Sequence, residues 1–103
     1  MKIYKCTING ANASAHECDD GFFTVLAGSK WGVARPSLDS LALKYREVLV
    51  PDGTDWKESF ITDKDFTYTT ADIAARVFAG CPCDECAWVA ENGSHPIVRR
   101  QSE

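Results

Sequence analysis

The sequence predicts an α+β fold, a small antiparallel sheet of three to four strands with two helices packed on one face, and three observations lead to it. Short segments of alternating polar and apolar residues, separated by Gly, Asn and Asp turns, open the chain. Two stretches with apolar residues at three- and four-residue spacing follow, each with its own start and stop signal. Most of the strand-like segments precede the first helix, one more lies between the helices, and there is no internal repeat.

In Lys2 to Ile8, Ile3, Lys5 and Thr7 fall on one side while Tyr4, Cys6 and Ile8 fall on the other, the period of a half-buried strand. Asn9-Gly10 supplies the positive φ of a tight turn, and Ala11 to His16 continues as a second extended segment. Asp19-Asp20-Gly21 turns the chain into Phe22 to Leu26, whose aromatic and β-branched content marks a buried strand. Pro36 and Ser37 then open a helix from about Ser37 to Val50, with Ser37 able to cap free N–H groups. Along it Leu38, Leu41, Ala42, Tyr45, Val48 and Leu49 form one apolar stripe, and Pro51-Asp52-Gly53 ends it.

Lys57 to Thr62 reads as a short strand with Phe60 inward, followed by the turn Thr62-Asp63-Lys64-Asp65. Thr69-Thr70-Ala71-Asp72 joins a hydroxyl cap to an acid in the first helical turn, where the helix dipole favours negative charge. The second helix runs Ala71 to Ala79 with Ile73, Ala74, Val77 and Phe78 inward, and Gly80 is placed to end it in the left-handed conformation. Residues 1–91 are expected to form one domain, and 92–103, rich in polar residues, a C-terminal tail.

The chain has 103 residues, 45% of them hydrophobic, which suits one core and not two. No apolar run approaches the roughly 20 residues of a membrane span, and the alternating N-terminus lacks the apolar centre of a secretory signal. A cytoplasmic protein with no membrane partner is expected. Five cysteines, three of them between Cys81 and Cys86, fit a disulfide framework poorly. Residues 1–50 carry a balance of +1 and residues 51–103 one of −5, giving the net −4. Any surface for nucleic acid must therefore be local, and only the first half can supply it.

Phe22 to Lys30, then Arg46 to Gly53, then Tyr68 to Gly80 resemble successive blocks of an uncharacterised bacterial family, the domain of unknown function numbered forty-three fifty-seven. That family is found at the C-terminal end of GIY-YIG nucleases and other restriction-like proteins, and the similarity spans about residues 1–90. The chain departs from the family pattern at Thr70-Ala71-Asp72, in place of a Ser-Pro-Ser helix start, and at Cys81 to Cys86 before Trp88, in place of an Asn-Gly-Trp-like segment. The resemblance implies an accessory binding module without activity of its own.

Gly28-Ser29-Lys30 offers N–H groups, a hydroxyl and an ammonium to a phosphate, or else makes a plain hairpin turn. It is too short for a Walker loop. Trp31 beside it either stacks on a base, with Lys30 and Arg35 holding the backbone, or closes the core. Gly28, Ser29, Lys30, Trp31 and Arg35 are thus the candidate contact set for a non-catalytic, nucleic-acid-associated module.

Cys83 and Cys86 have the two-residue gap that lets both sulfurs reach one zinc ion, and His16 with Cys18 would complete a tetrahedral set. A second CxxC pair is missing, buried thiols are the simpler reading, and no cofactor is expected. Neither His16 nor His95 has a nucleophile partner nearby in sequence, and Asp52, Asp55, Glu58 and Asp63 are irregularly spaced, so no enzyme is expected. The acidic second half supports an alternative: a small phage- or mobile-element-encoded protein that docks on, and inhibits, a host defence nuclease. The partner is then a nucleic-acid-processing protein in place of nucleic acid itself.

Overall fold

A computed structural model describes residues 2–51 and 53–96 of the chain. Alternation makes the first strands: β1 (Tyr4–Cys6) buries Tyr4 and Cys6 and exposes Lys5, and β2 (Ala13–Glu17) buries Ala13 and Ala15. Between them Asn9 takes a positive φ of 57° in a 3-10 turn, Ile8–Gly10. The third strand, β3 (Phe23–Val25), is buried throughout, as its aromatic and β-branched residues require. After it come β4 (Lys30–Trp31), helix α1 (Ser40–Leu49), β5 (Phe60–Ile61), β6 (Phe66–Tyr68), helix α2 (Ala71–Ala79) and β7 (Val89–Ala90).

The α+β architecture with two helices and an antiparallel sheet is as the sequence predicts, but the sheet has five strands, in the order β6-β3-β2-β1-β7. The two outer strands are three and two residues long, too short to show a period of their own. Tyr68 opposite Phe23 and Ala90 opposite Tyr4 hold them in register. The expected strand at Lys57 to Thr62 does form in part as β5, yet it pairs with β4 in a separate two-stranded sheet.

Thr70 caps α2 by accepting from the Ile73 N–H at 3.4 Å, and Gly80, at φ 73°, ends it. The helix lies against β1, β3 and β6 and buries Ala74, Ala75, Val77, Phe78 and Ala79. Such small residues let the helix approach the sheet closely, and Phe23, Phe78, Trp31 and Trp88 fill the space on either side. Both buried indoles are satisfied: Trp31 donates to Glu58 O at 2.8 Å, and Trp88 to Ala71 O at 3.0 Å.

α1 begins three residues later than Ser37, because Asp39 is its cap and accepts from the Ala42 N–H at 3.2 Å. Arg76 of α2 reaches Asp39 at 3.0 Å and ties the two helices. The expected stripe is only partly right. Leu38 and Ala42 are buried, but Leu41 is 47% exposed and Val48 70%, while Arg46 is wholly buried. Relative to the expected apolar face, α1 is turned by about a quarter of a revolution, at ~100° per residue. Arg46 is the reason: its Nε donates to Val77 O at 2.8 Å, Nη1 to Trp56 O at 3.1 Å and Nη2 to Gly32 O at 2.6 Å. An apolar residue there would leave those carbonyls without partners.

The chain beyond residue 91 does not leave the domain at once. Ala90 N–H donates to Ser94 O at 2.8 Å, and His95 Nδ1 donates to Trp88 O at 2.9 Å, so this segment turns back beside β7. The remainder of the expected tail, residues 97–103, lies outside the described residues.

Candidate functional site

The glycine turn is built, but it points its polar groups inward. Gly28, at φ 87°, gives its N–H to Thr62 O at 2.8 Å; Ser29 N–H goes to Leu26 O at 3.3 Å and Lys30 N–H to Asn12 O at 2.9 Å. A phosphate finds no free donor on this backbone, since all three are already engaged. Ser29 is buried and its hydroxyl accepts from Ser14 N–H at 3.0 Å. Trp31 has no exposed surface: Phe60 and Phe78 pack against it at centroid distances of 5.3 and 5.8 Å. No base can stack on it. Lys30 is half-buried, and exposed Arg35 donates through Nε to Asn9 Oδ1 at 2.8 Å. Gly28, Ser29, Lys30, Trp31 and Arg35 therefore do not form a common contact surface, because pairing β4 with β5 draws two of the five into the interior.

The zinc set is not gathered either. His16 lies on the face of β2 that carries Ser14, away from the buried Ala13 and Ala15, and Cys18 Sγ is 3.2 Å from Thr24 Oγ1. Cys83 packs against the core on the opposite side of the sheet. Among the described residues, the His, Cys, Asp and Glu ligand atoms that come within 4.8 Å of one another in groups of three or more are those of Asp84, Glu85 and Cys86. These are adjacent in the chain, where Asp84 already caps the 3-10 turn Glu85–Ala87 by accepting from the Cys86 N–H. The neighbours Cys83 does acquire are Cys81 and Cys6, the last unsuspected from spacing but placed inward by the alternation of β1. Burial, reinforced by those two thiols, pushes Cys83 up to about 12. A thiol so raised is protonated near neutrality, and metal binding would first have to displace its proton.

Of the acidic cluster, Asp55 accepts from the Lys57 N–H at 3.0 Å in a turn, and Glu58 and Asp63 are exposed. Asp52 lies outside the described residues.

A surface that sequence reasoning assigned to the core remains open instead. Leu41, Tyr45 and Val48 run along the outer side of α1, with Tyr45 half-buried because its ring meets Tyr68 at 5.4 Å. A shallow depression of about 150 Å³ lies among Leu41, Lys44, Tyr45 and Val48. On the other side of Lys44 a groove of about 530 Å³ is lined by Ser40, Leu41, Leu43, Lys44, Glu47 and Trp56. Trp56 is the tryptophan the core does not absorb, half-buried, with Lys57 Nζ 5.8 Å from its ring centroid.

No family model, curated protein or solved structure matches this chain.

A third groove, of about 630 Å³, runs along β1 and β7 between Lys2, Ile3, Lys5, Val89, Glu91 and Asn92. Lys2 turns its Nζ to Ser94 Oγ at 3.3 Å. No helix among the described residues is long and apolar enough to cross a membrane.

Proposed function

We propose that this chain works by binding another protein rather than by chemistry, and that the outer side of α1 with the Trp56 groove is its contact surface. The observation that carries the reading is the exposure of Leu41 and Val48, 47% and 70%, two turns apart on one side of a helix whose other side buries Ala42 and Arg46. Contiguous apolar surface of this kind, rimmed by Lys44 and Glu47, is the composition of a contact patch with a polar rim. Trp56 beside it supplies the aromatic type that interfaces favour. The nucleic-acid reading has no comparable support once Trp31 and the turn amides are engaged inside the fold.

The test is comparative affinity capture from the source cells, with the wild-type chain and the Leu41→Glu and Val48→Glu variants as baits of equal stability. Proteins retained by the wild type and lost by both variants support the reading. An unchanged set of retained proteins overturns it.

A further inference from the structure

We infer that the open edge of β6, beside the outer side of α1, takes up an extended segment of a partner protein as a further antiparallel strand of the sheet. The inference rests on the proposal that α1 is a contact surface, and it names what docks there: a stretched chain, apolar at alternate positions and basic towards its C-terminal end.

The hydrogen bonds fix which way β6 faces. Leu26 N–H donates to Ser14 O and Cys18 N–H to Phe22 O, so the even-numbered residues of β3 turn their main-chain groups to β2. Phe23 and Val25 turn theirs the other way, to Tyr68 and Phe66. Thr67, between those two, therefore aims its N–H and C=O out of the sheet, and β6 is the outermost strand on that side. Among the described residues no donor or acceptor meets them. The opposite edge is closed by its own chain, since Ser94 O takes the Ala90 N–H and His95 Nδ1 donates to Trp88 O. A strand edge with unpaired main-chain groups is a template for another extended chain.

The side chains set the pattern of that segment. Tyr68 is buried and Phe66 packs against the core, both on the helix side, while Thr67 lies on the other face with its Oγ1 2.9 Å from Thr24 Oγ1. Residues opposite Phe66 and Tyr68 then project to the helix side, next to Tyr45. The Tyr45 ring meets Tyr68 and also walls the depression shared with Leu41, Lys44 and Val48, so apolar residues suit those two positions. A small polar residue suits the position beside Thr67. Asp63 and Asp65 are exposed at the start of β6, where the C-terminal end of an antiparallel segment arrives. Those acids and the net charge of −4 favour a basic segment over a second copy of this chain.

Amide exchange and titration followed by nuclear magnetic resonance test it, with a short synthetic peptide of alternating valine and threonine ending in lysines as the probe. In the free chain the Thr67 amide should exchange about tenfold faster than those of Phe66 and Tyr68, which β3 holds. The peptide, at roughly 1 mM, should shift Thr67 and Tyr45 together and slow exchange at Thr67. The same peptide N-methylated at alternate residues, which cannot form the ladder, should do neither. Thr67→Pro removes the outward N–H without breaking a bond to β3 and should abolish binding, whereas Thr67→Val loses only the hydroxyl and should keep it. The readings on the wild-type chain stand whatever the proline does to folding. A Thr67 amide already protected in the free chain, a peptide that leaves Thr67 or Tyr45 unmoved, equal binding of the N-methylated peptide, or undiminished binding by a folded Thr67→Pro would each overturn the inference. So would a self-association that Thr67→Pro abolishes, which would put a second copy on the edge. Those outcomes leave the contact surface on α1 standing, which the Leu41→Glu and Val48→Glu baits decide separately.

Discussion

The Arg46 guanidinium lies 4.6 Å from the centroid of the Trp31 ring, and the carbonyls of Gly32, Trp56 and Val77 take its N–H groups. The partners of this buried cation are main-chain dipoles and a ring face. Val77 stands in the last turn of α2, where unpaired carbonyls concentrate partial negative charge and favour a cation. Arg46 thereby joins α1, α2, the residue after β4 and the loop at Trp56. Burial lowers its pKa to about 10, which still leaves it charged at neutral pH.

Arg46→Met, which keeps most of the length and none of the donors, should lower the unfolding free energy by roughly 2–6 kcal/mol, at ~1–3 kcal/mol for each of the two carbonyls, of Gly32 and Val77, stranded in the interior. Arg46→Lys should recover little, because an ammonium cannot reproduce the planar fork. Urea denaturation midpoints measure both. A Met variant within about 1 kcal/mol of wild type would mean that the two carbonyls find other partners.

Three glycines should rank by what surrounds them. A Cβ at Gly32 would collide with Asn9 O, and one at Gly80, where φ is +73°, would stand 2.7 Å from both Arg46 Nη2 and Val33 O. Gly32→Ala and Gly80→Ala should fold poorly or not at all, since backbone atoms would have to move. Gly28 has open space around its Cβ but φ +87°, so Gly28→Ala should cost only the ~1–2 kcal/mol of a left-handed L-residue. Thermal melts give the order, and an equal loss at all three would refute it.

Local signals were legible and long-range ones were not. Thr70, Gly80 and the apolar spacing of α2 fix that helix from residues within a few positions of one another, and it spans Ala71–Ala79 as expected. The meander β1 to β3 is likewise local. By contrast, nothing around Phe66 or Val89 announces a strand, because their pairing depends on main chain brought from far along the sequence. The register of α1 depends on where Gly32, Trp56 and Val77 present carbonyls, which hydropathy does not encode. The same gap explains the candidate site. Trp31 beside a lysine and a glycine turn suggested a stacking surface, while its role is to lie under Arg46.

Cys83 should give the fold an alkaline weakness. Its folded-state pKa, about 12, lies above the ordinary thiol value of 9.0, so folding favours the neutral form. The stabilisation is complete below the unfolded value and is lost as pH rises from about 9 through about 12, since the unfolded chain releases the proton first. Between pH 8 and 10.5 the urea midpoint of wild type should therefore fall relative to that of Cys83→Ala, whatever the difference at pH 8. A gap that stays constant would show that burial does not hold this thiol neutral.

The outward register of α1 makes a last prediction that separates it from the six-residue stripe read in the sequence. If Leu38, Leu41, Ala42, Tyr45, Val48 and Leu49 shared one buried face, trimming any large member would cost a similar amount. With Val48 70% exposed and Leu38 5%, the costs must diverge. Val48→Ser removes little surface that folding had hidden and should stay within about 0.5 kcal/mol of wild type, whereas Leu38→Ala should cost about 2–5 kcal/mol. Comparable losses for both variants would place Val48 inside the fold, and the contact surface on α1 would go with it.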